Sequence, residues 1–136
     1  MQEATIPLPT LNSDNAEFWQ AAKRHELVLQ KCSGCGAFRY YPRPGCSRCS
    51  SMDFTWERVS GRGSVYSWII VHGPTLPVFQ DKAPYNVVVV ALEEGPHMVS
   101  NLLDVPNEEI QIGMPVTVDF EDVSDDIALP KFRRAS

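Results

Sequence analysis

The four cysteines of this chain, arranged as two Cys-x-x-Cys pairs, constrain its fold more than any other feature of the sequence. Ten residues separate the pairs, which are Cys32 with Cys35 and Cys46 with Cys49. Each pair can present two thiolates to one ion, and four thiolates close a tetrahedral shell of the kind found in zinc ribbons. Because a closed shell leaves no position for an activating water, we predict a structural zinc site and not a catalytic one.

Iron in a rubredoxin-like site and disulfide bonds are the alternative uses of the same four thiols. Disulfides suit a secreted chain, but residues 1–11 show no basic start followed by an apolar run. We therefore see no signal peptide and expect a cytoplasmic protein. Gly34 and Gly36 favour a metal, because a metal knuckle bends the backbone tightly and turns amides toward sulfur. Structural zinc is the predicted cofactor.

Length and charge limit the remaining choices. The 136 residues suit one compact domain or two small modules that share a core. No apolar run approaches the roughly 20 residues needed to cross a bilayer, so no membrane contact is predicted. The net charge of -5 weakens any case for tight, sequence-independent binding of nucleic acid. Cations crowd the first half and carboxylates the second, which can mark a phosphate-bearing ligand or a partner protein as well as an ordinary solvated surface.

The hydrophobic pattern predicts a mainly β protein with a short N-terminal helix. Residues 1–26 are predicted to form an extended arm and the helix, where Asp14 and Glu17 resemble a capping box. Residues 27–59 are predicted to form a rubredoxin-like zinc ribbon. Residues 60–136 show three meandering strands, a connector with one helical turn, two more strands and a C-terminal tail. That order is typical of a five-stranded OB-fold barrel.

Few residues are candidates for catalysis. With the cysteines assigned to a metal, no thiol nucleophile remains, and no Ser or Thr stands in a nucleophile-elbow context. His25, His72 and His97 are the only histidines, and nothing in the sequence ties them to a common carboxylate or nucleophile. Surface or capping roles explain them better. We predict that the chain is not an enzyme by itself.

Several short motifs follow one another along the chain. They are Phe18-Trp19, the run over 27–36 that ends in the first knuckle, Tyr41-Pro42-Arg43-Pro44, Ser60-Gly61-Arg62-Gly63, Glu94-Gly95, Ile112-Gly113-Met114-Pro115 and Leu129-Pro130-x-Phe132. This ordered set resembles the acyl-CoA-associated zinc-ribbon and OB-fold family, the domain-of-unknown-function thirty-five type. The cysteine spacing alone would fit many zinc ribbons, whereas the order of the motifs distinguishes this family.

The resemblance implies a non-catalytic accessory subunit that binds a thiolase-fold enzyme as a separate chain. Partners of family members include thiolases, hydroxymethylglutaryl-CoA synthases, polyketide-type acyltransferases and the aldolases that shorten sterol side chains carried on CoA. The partner carries the chemistry, while the ribbon and barrel protein completes the interface and helps to form the acyl-CoA passage. Thiolase-fold enzymes are commonly dimers, so a heterotetramer around that dimer, with acyl-CoA at the shared interface, is the expected arrangement.

Aromatic and arginine side chains are the candidate contacts with such a partner or with acyl-CoA. These residue types dominate the energetics of many interfaces, and Arg also suits bidentate contact with phosphate. The proline-rich loop over 73–83, with Leu76, Val78 and Phe79, is the barrel-side candidate, because a preordered loop loses little entropy on docking. Packing between ribbon, helix and barrel is the alternative role of the aromatics. The predicted contact residues are Phe18, Trp19, Arg39, Tyr41, Arg43, Arg62 and Phe79.

Binding of single-stranded nucleic acid is the alternative function. Zinc ribbons and OB barrels both occur in nucleic-acid binders, which combine basic grooves with exposed aromatics on barrel strands. Tyr66 and Trp68 could provide such aromatics. A polyanion that approached the acidic second half would meet like charge, however, so the accessory subunit is the favoured prediction.

Overall fold

The structure, a computed structural model, describes residues 7–74 and 77–135, and for Val78 the backbone alone. The elements in chain order are α1 (Ala16–Lys23), β1 (Val28–Cys32), β2 (Phe38–Arg39), β3 (Phe54–Arg58), β4 (Arg62–Val71), α2 (Pro77–Gln80), β5 (Tyr85–Leu92), β6 (His97–Ser100), a 3₁₀ turn (Asn107–Glu109), β7 (Pro115–Asp122) and β8 (Ala128–Arg134). Residues 1–6 of the predicted arm and Leu76 of the predicted docking loop lie outside the described residues.

The helix α1 begins at Ala16 in a way that the sequence did not predict. Its N-cap is Asn15, whose side chain makes no cap hydrogen bond. Instead, Asn12 Oδ1 accepts hydrogen bonds from the backbone N–H groups of Asp14 and Asn15 at 2.8 and 3.0 Å. The predicted capping box of Asp14 and Glu17 was therefore wrong, because the side chain of Asn12 accepts hydrogen bonds from the two backbone amides that precede the helix. The buried residues of the helix are Phe18, Trp19, Ala21 and Ala22.

The ribbon is a three-stranded antiparallel sheet with strand order β2-β1-β3. Gln30 in β1 lies opposite Arg39 of β2 on one side and opposite Trp56 of β3 on the other. Cys32, at the end of β1, lies opposite Phe54. Because directly opposite residues share a face of a sheet, these five side chains lie on the same face. The predicted zinc ribbon is confirmed in this sheet.

The second sheet has five strands in the order β6-β5-β4-β7-β8, and all neighbours are antiparallel. It curls until the chain after β6 meets β8 in an isolated parallel bridge between Leu102 and Phe132. The backbone N–H of Leu103 donates to Phe132 O at 2.8 Å, and the N–H of Phe132 donates to Asn101 O at 3.0 Å. Strand order and closure are those of the predicted OB-fold, which is confirmed.

One hydrophobic core runs through helix, ribbon and barrel. The helix α1 packs against β1 of the ribbon and against β7 and β8 of the barrel. The core residues are Phe18, Trp19, Ala22, Leu27, Leu29, Val59, Val65, Val88, Val90, Leu92, Met98, Leu102, Val105, Ile110, Val116, Ile127 and Phe132. The boundaries 1–26, 27–59 and 60–136 thus separate segments that share one core, and they stay a prediction. No helix in the described part of the chain is long and apolar enough to cross a membrane.

Two glycines allow β4 to begin close to its neighbours. Gly61 has a φ of 78°, and a Cβ placed on it would clash with Cγ1 of Val118. A Cβ on Gly63 would lie 2.5 Å from the backbone oxygen of Ala91. Real Cβ atoms do not approach other atoms so closely, so a side chain at either position would push β4 away from β5 or β7.

Gly61→Ala tests this close approach against Gly113→Ala. Both glycines have a positive φ, but a Cβ on Gly113 would meet nothing within 4 Å. The left-handed conformation alone costs about 1–2 kcal/mol for a non-glycine residue. Overpacking against Val118 adds about 1–3 kcal/mol. Chemical denaturation should therefore show a larger loss of unfolding free energy for Gly61→Ala, and equal losses would contradict the packing at the start of β4.

Candidate metal centre and partner-binding residues

The two knuckles fold with the same backbone pattern. In the first, the N–H of Gly36 donates to Cys32 O at 2.9 Å, and in the second, the N–H of Ser50 donates to Cys46 O at 2.9 Å. Gly36 and Ser50 also share the left-handed conformation, with φ of 78° and 66°. Each of them directly follows the second cysteine of its pair, so the two Cys-x-x-Cys segments form two equivalent turns.

Backbone amides point at the first sulfur of each pair. The N–H of Gly34 donates to Cys32 Sγ at 3.3 Å, and the N–H of Arg48 donates to Cys46 Sγ at 3.4 Å. A Cβ on Gly34 would lie 3.2 Å from Sγ of Cys49, so glycine leaves room for the sulfurs to converge. Amides directed at sulfur stabilise the thiolate form that a metal requires.

The four sulfur atoms lie in one cluster that fits a tetrahedral ion. All four lie within 4.8 Å of one another, with Cys32 Sγ 3.5 Å from Cys49 Sγ and Cys35 Sγ 3.7 Å from Cys46 Sγ. Zinc bound at the usual zinc–sulfur distance of about 2.3 Å holds its sulfurs about 3.8 Å apart. The cysteines are free thiols and form no disulfide. Four thiolates fill the shell, and Cys32, Cys35, Cys46 and Cys49 would hold the ion without an open position.

Hydrogen bonds give the thiols different pKa values. The backbone N–H groups of Cys49 and Arg48 lower the pKa of Cys46 to about 6. The backbone N–H of Ser51 lowers the pKa of Cys49, but the neighbouring Cys32 thiol and burial outweigh it and raise that pKa to about 12. Cys46 therefore ionises readily near neutral pH. Binding of a metal by all four thiolates releases the remaining protons.

Metal analysis of the purified chain should find one zinc per chain. Cys49→Ser removes one of the four ligands, and because metal binding and folding of such a ribbon are coupled, it should lose zinc and unfold the ribbon. Ser47→Ala, within the same knuckle, should keep both the zinc and the fold. The measurements are elemental analysis and circular dichroism of the same samples.

Two results would oppose the zinc assignment. Folded chain with less than about half an equivalent of any metal would show that the ribbon forms without an ion. Iron in place of zinc, with the visible absorption of an iron–thiolate centre, would support the rubredoxin-like alternative.

The aromatic residues predicted as contacts lie mostly inside the molecule. Phe18 is 1% exposed and Trp19 is 7% exposed. The hydroxyl of Tyr41, which is half-buried, accepts hydrogen bonds from Trp19 Nε1 at 2.8 Å and from Asn15 Nδ2 at 3.1 Å. The Phe18 ring packs edge-on against Trp19, with 4.9 Å between ring centroids. This cluster fastens α1 to the segment between the knuckles, so the rings of Phe18 and Trp19 offer a partner almost no surface.

Gln30 organises the two arginines that lie between the knuckles. Its Oε1 accepts hydrogen bonds from Arg39 Nε at 2.8 Å and from the backbone N–H of Arg43 at 2.9 Å. The Arg39 guanidinium lies over the Phe54 ring, 4.9 Å from its centroid, and the residue is only 7% exposed. Arg39 thus holds the ribbon together from inside. The backbone of Arg43 is held by the same Gln30 side chain, but its own side chain is exposed.

The remaining predicted contacts lie on other elements. Arg62, at the start of β4, forms an ion pair with Glu93 at 3.0 Å, and both side chains are more than half exposed. Phe79, in α2, packs against Tyr85 with 6.0 Å between ring centroids. The structure therefore brings five of the predicted residues together around the ribbon and leaves Arg62 and Phe79 apart from them. The five are Phe18, Trp19, Arg39, Tyr41 and Arg43.

Sequence reasoning missed an exposed apolar surface on the barrel. Ile69 is 61% exposed and Val99 is 62% exposed, although both belong to strands. The unbroken apolar run from Val87 to Val90 was the sign that could have revealed it, because a strand that is apolar on both sides is typical of a sheet covered on both faces.

Tyr41→Phe measures how far the aromatic cluster contributes to stability. The substitution removes the acceptor of the Trp19 indole N–H, and a buried donor without a partner costs about 1–3 kcal/mol. Tyr66→Phe, on a residue that is 58% exposed, is the control and should change the unfolding free energy by less than about 0.5 kcal/mol. Equal effects of the two substitutions in denaturant titrations would argue against the role assigned to the Tyr41 hydroxyl.

Two protein-family models match consecutive parts of the chain. Residues 19–55 match the model described as the ChsH2 rubredoxin-like zinc ribbon domain. Residues 56–121 match the model described as the ChsH2 C-terminal OB-fold domain. The first match contains all four cysteines, and together with the geometry of the sulfur cluster it identifies a structural zinc site.

Curated relatives carry two kinds of description. A probable enoyl-CoA hydratase alpha subunit of Thermomonospora curvata is 41% identical over 133 residues, and a 3-oxo-4,17-pregnadiene-20-carboxyl-CoA hydratase alpha subunit of Mycobacterium tuberculosis is 33% identical over 117 residues. The matches cover 98% and 86% of this chain but only 41% and 37% of those relatives. A DUF35 domain-containing scaffold protein of Methanocaldococcus jannaschii is 31% identical over 110 residues, which are 79% of this chain and 77% of the relative.

A solved structure of an Ltp2-ChsH2(DUF35) aldolase is similar to the chain along its length. One chain of that aldolase is 40% identical to this one and superimposes with a TM-score of 0.84. The match covers 95% of this chain and 100% of the other.

Proposed function

Because the chain belongs to the ChsH2 family of DUF35 proteins, in which a zinc ribbon precedes an OB-fold, we propose that it is an accessory subunit of a thiolase-fold enzyme that acts on acyl-CoA. One observation carries this proposal. The similar chain in the Ltp2-ChsH2(DUF35) aldolase is matched over 100% of its length at 40% identity. A resemblance of that extent favours a shared role in an assembly and not only a shared fold.

The subunit is proposed to contribute no reacting group. Cys32, Cys35, Cys46 and Cys49 would fill the tetrahedral shell of a zinc ion and would leave no coordination position for water or substrate. Relatives such as the Methanocaldococcus jannaschii protein are described as scaffold proteins. Both observations favour a subunit that acts by binding and positioning, while the catalytic residues belong to the partner.

The partner is proposed to be a separate chain of the thiolase, sterol side-chain aldolase, hydroxymethylglutaryl-CoA synthase or acyltransferase type. The name of the solved relative joins two components, Ltp2 and ChsH2, in one aldolase. That name favours the aldolase type. The Mycobacterium tuberculosis relative, a hydratase alpha subunit, is named for a steroid-derived CoA thioester, which favours a pathway of steroid or lipid catabolism. Two copies of this chain on a partner dimer would form a heterotetramer.

Acyl-CoA is proposed to lie at the shared interface, and Arg43 is the better placed of the two exposed arginines to meet its phosphates. Its backbone is fixed by Gln30, and its Nε contacts Tyr41 O at a long 3.4 Å, which leaves most of the guanidinium unpaired. The Arg62 guanidinium is already engaged by Glu93, which raises the pKa of Arg62.

Free thiols suit a reducing compartment, so the complex is proposed to work in the cytoplasm.

Co-expression with a thiolase-fold enzyme from the same genome tests the proposed function. The two chains should elute together in size exclusion, and light scattering should give the mass of two copies of each. Ser47→Ala should form the same complex, whereas Cys49→Ser should not, because its ribbon does not fold. Separate elution of the wild-type chain and the enzyme at micromolar concentration would count against the accessory role.

A further inference from the structure

The strand β5 is apolar on both of its faces. Four of its side chains point inward and are buried: Asn86, Val88, Val90 and Leu92. The outward positions alternate with them and are only partly buried: Tyr85, Val87, Val89 and Ala91. An antiparallel sheet with one solvated face normally carries polar residues on that face. The outward side of β5 carries no charged or amide side chain, so its composition is that of a strand covered on both sides.

Neighbouring strands extend this apolar surface. Ile69 of β4 lies opposite Val87, and Val99 of β6 lies opposite Val89, so these four side chains share one face. Ile69 and Val99 are 61% and 62% exposed. Tyr66 is 58% exposed and lies where the pairing of β4 with β5 shifts register, between Val65 and Ser67. The centroid of its ring lies 4.4 Å from the centroid of the His97 ring. We call the set Tyr66, Ile69, Val87, Val89 and Val99 the outer valine face. Ser67 lies opposite Val89 and is a polar residue on the same face. Exposed surface that is mostly apolar marks an interaction site in many proteins.

A groove connects the outer valine face to two lysines. It has a volume of ≈ 280 Å³, and among its walls are Phe79, Tyr85, Val87, Val99, Leu129 and Lys131. A second cavity of ≈ 200 Å³ shares Phe79, Tyr85 and Lys131 with the groove and adds Lys82. One end of the apolar surface is therefore cationic, in a chain whose net charge is -5.

The charges at this end are incompletely balanced. Lys131 Nζ donates to Asn101 Oδ1 at 2.6 Å and lies 3.9 Å from Glu121. Burial lowers the pKa of Lys131, and the nearby charge of Lys82 lowers it further, whereas Glu121 raises it. Lys82 is exposed. Among the side chains that line the two cavities, one carboxylate stands with two ammonium groups, while Asp81, next to Lys82 in the chain, lies outside the lining. A further carboxylate would be attracted to this end of the groove.

We propose that the outer valine face and its groove form the docking surface for the partner subunit, which covers the face with an apolar segment and places a carboxylate beside Lys82 and Lys131. This inference rests on the proposed function. It assigns docking to the barrel side of the chain. Of the predicted contact residues, Phe79 lines the groove and Arg62 lies at the start of β4, outside the outer valine face.

A second copy of this chain fits the surface less well than a different subunit. Among the described residues of the face and groove, Glu121 carries a carboxylate, and it already lies beside Lys131. Two copies that pressed their valine faces together would bury apolar area but bring no further carboxylate to either pair of lysines. A different subunit can supply both the apolar cover and the missing charge, which is how complementary charges select one partner over another.

Ile69→Asp and Val99→Asp test the face, with Ile112→Asp as the matched control. All three side chains are 61–66% exposed, so a carboxylate on each remains in water in the free chain. Ile112 lies outside the face, in the loop before β7. Circular dichroism and zinc content should match the wild type in all three. Affinity for the co-expressed thiolase-fold enzyme should fall by at least about 30-fold for the face variants and by less than about 3-fold for the control.

Lys82→Glu tests the charge. It replaces an exposed cation by a carboxylate, so it should weaken the complex by about 10-fold at low salt and less at high salt. Unchanged or tighter binding by Lys82→Glu would overturn the proposed carboxylate on the partner.

The outcomes separate this inference from the proposed function. If the wild-type chain binds the enzyme and Val99→Asp binds equally well, the docking surface is wrong while the accessory role stands. If the wild type binds no thiolase-fold enzyme, both fail. A free chain that forms a dimer broken by Val99→Asp would assign the face to a second copy and overturn the inference. Salt-sensitive retention of a single-stranded oligonucleotide that Tyr66→Ala abolishes would assign it to nucleic acid, with the same consequence.

Discussion

The convergence of four cysteine sulfur atoms on one zinc site is the constraint on which the rest of the structure depends. The ribbon strands are short, with five residues in β1 and β3 and two in β2. Sheets of this size are marginally stable without added packing or cross-links. An ion held by all four thiolates would fix the knuckles on both sides of β2. The N–H of Val59 then donates to Leu27 O at 3.0 Å, so the same sheet sets where the chain enters the barrel.

The buried side-chain amide of Gln30 helps to connect the metal site to the helix α1. Gln30 is 1% exposed, and its Oε1 accepts from two arginines of the segment between the knuckles. The buried Oε1 of Gln30 gains partners only if this segment folds back over it, so a side chain 9 residues before Arg39 and 13 before Arg43 determines the path of the segment. Tyr41 then reaches Trp19 of α1. The sequence pattern suggested that Trp19, Arg39 and Tyr41 contact a partner. In the structure they hold the ribbon and the helix together.

The sequence predicted the features that depend on neighbouring residues and missed those that depend on the far side of the molecule. Cysteine spacing and strand patterns are local, so the zinc site and the order of ribbon and barrel were predictable. The burial of Phe18 and Arg39 was not, because it is decided by Tyr40, Tyr41 and Gln30 after the chain has folded. The prediction of the helix cap failed for a similar reason: Asn12 accepts from the backbone N–H groups of Asp14 and Asn15, and the N-cap is Asn15, one residue after Asp14.

The barrel strand β5 connects the interior of the protein to its outer valine face. Its inward residues Val88 and Val90 are 0% exposed in the core, while its outward valines alternate with them along the same backbone. β5 pairs with β4 over eight residues, and β4 follows directly from the ribbon strand β3. A partner seated on the outer face would therefore rest mainly on the paired strands β4, β5 and β6 of the barrel. Close-packed strands deform little, so the zinc ribbon and a docked partner would be held in a fixed relative orientation, as a subunit that acts by position requires.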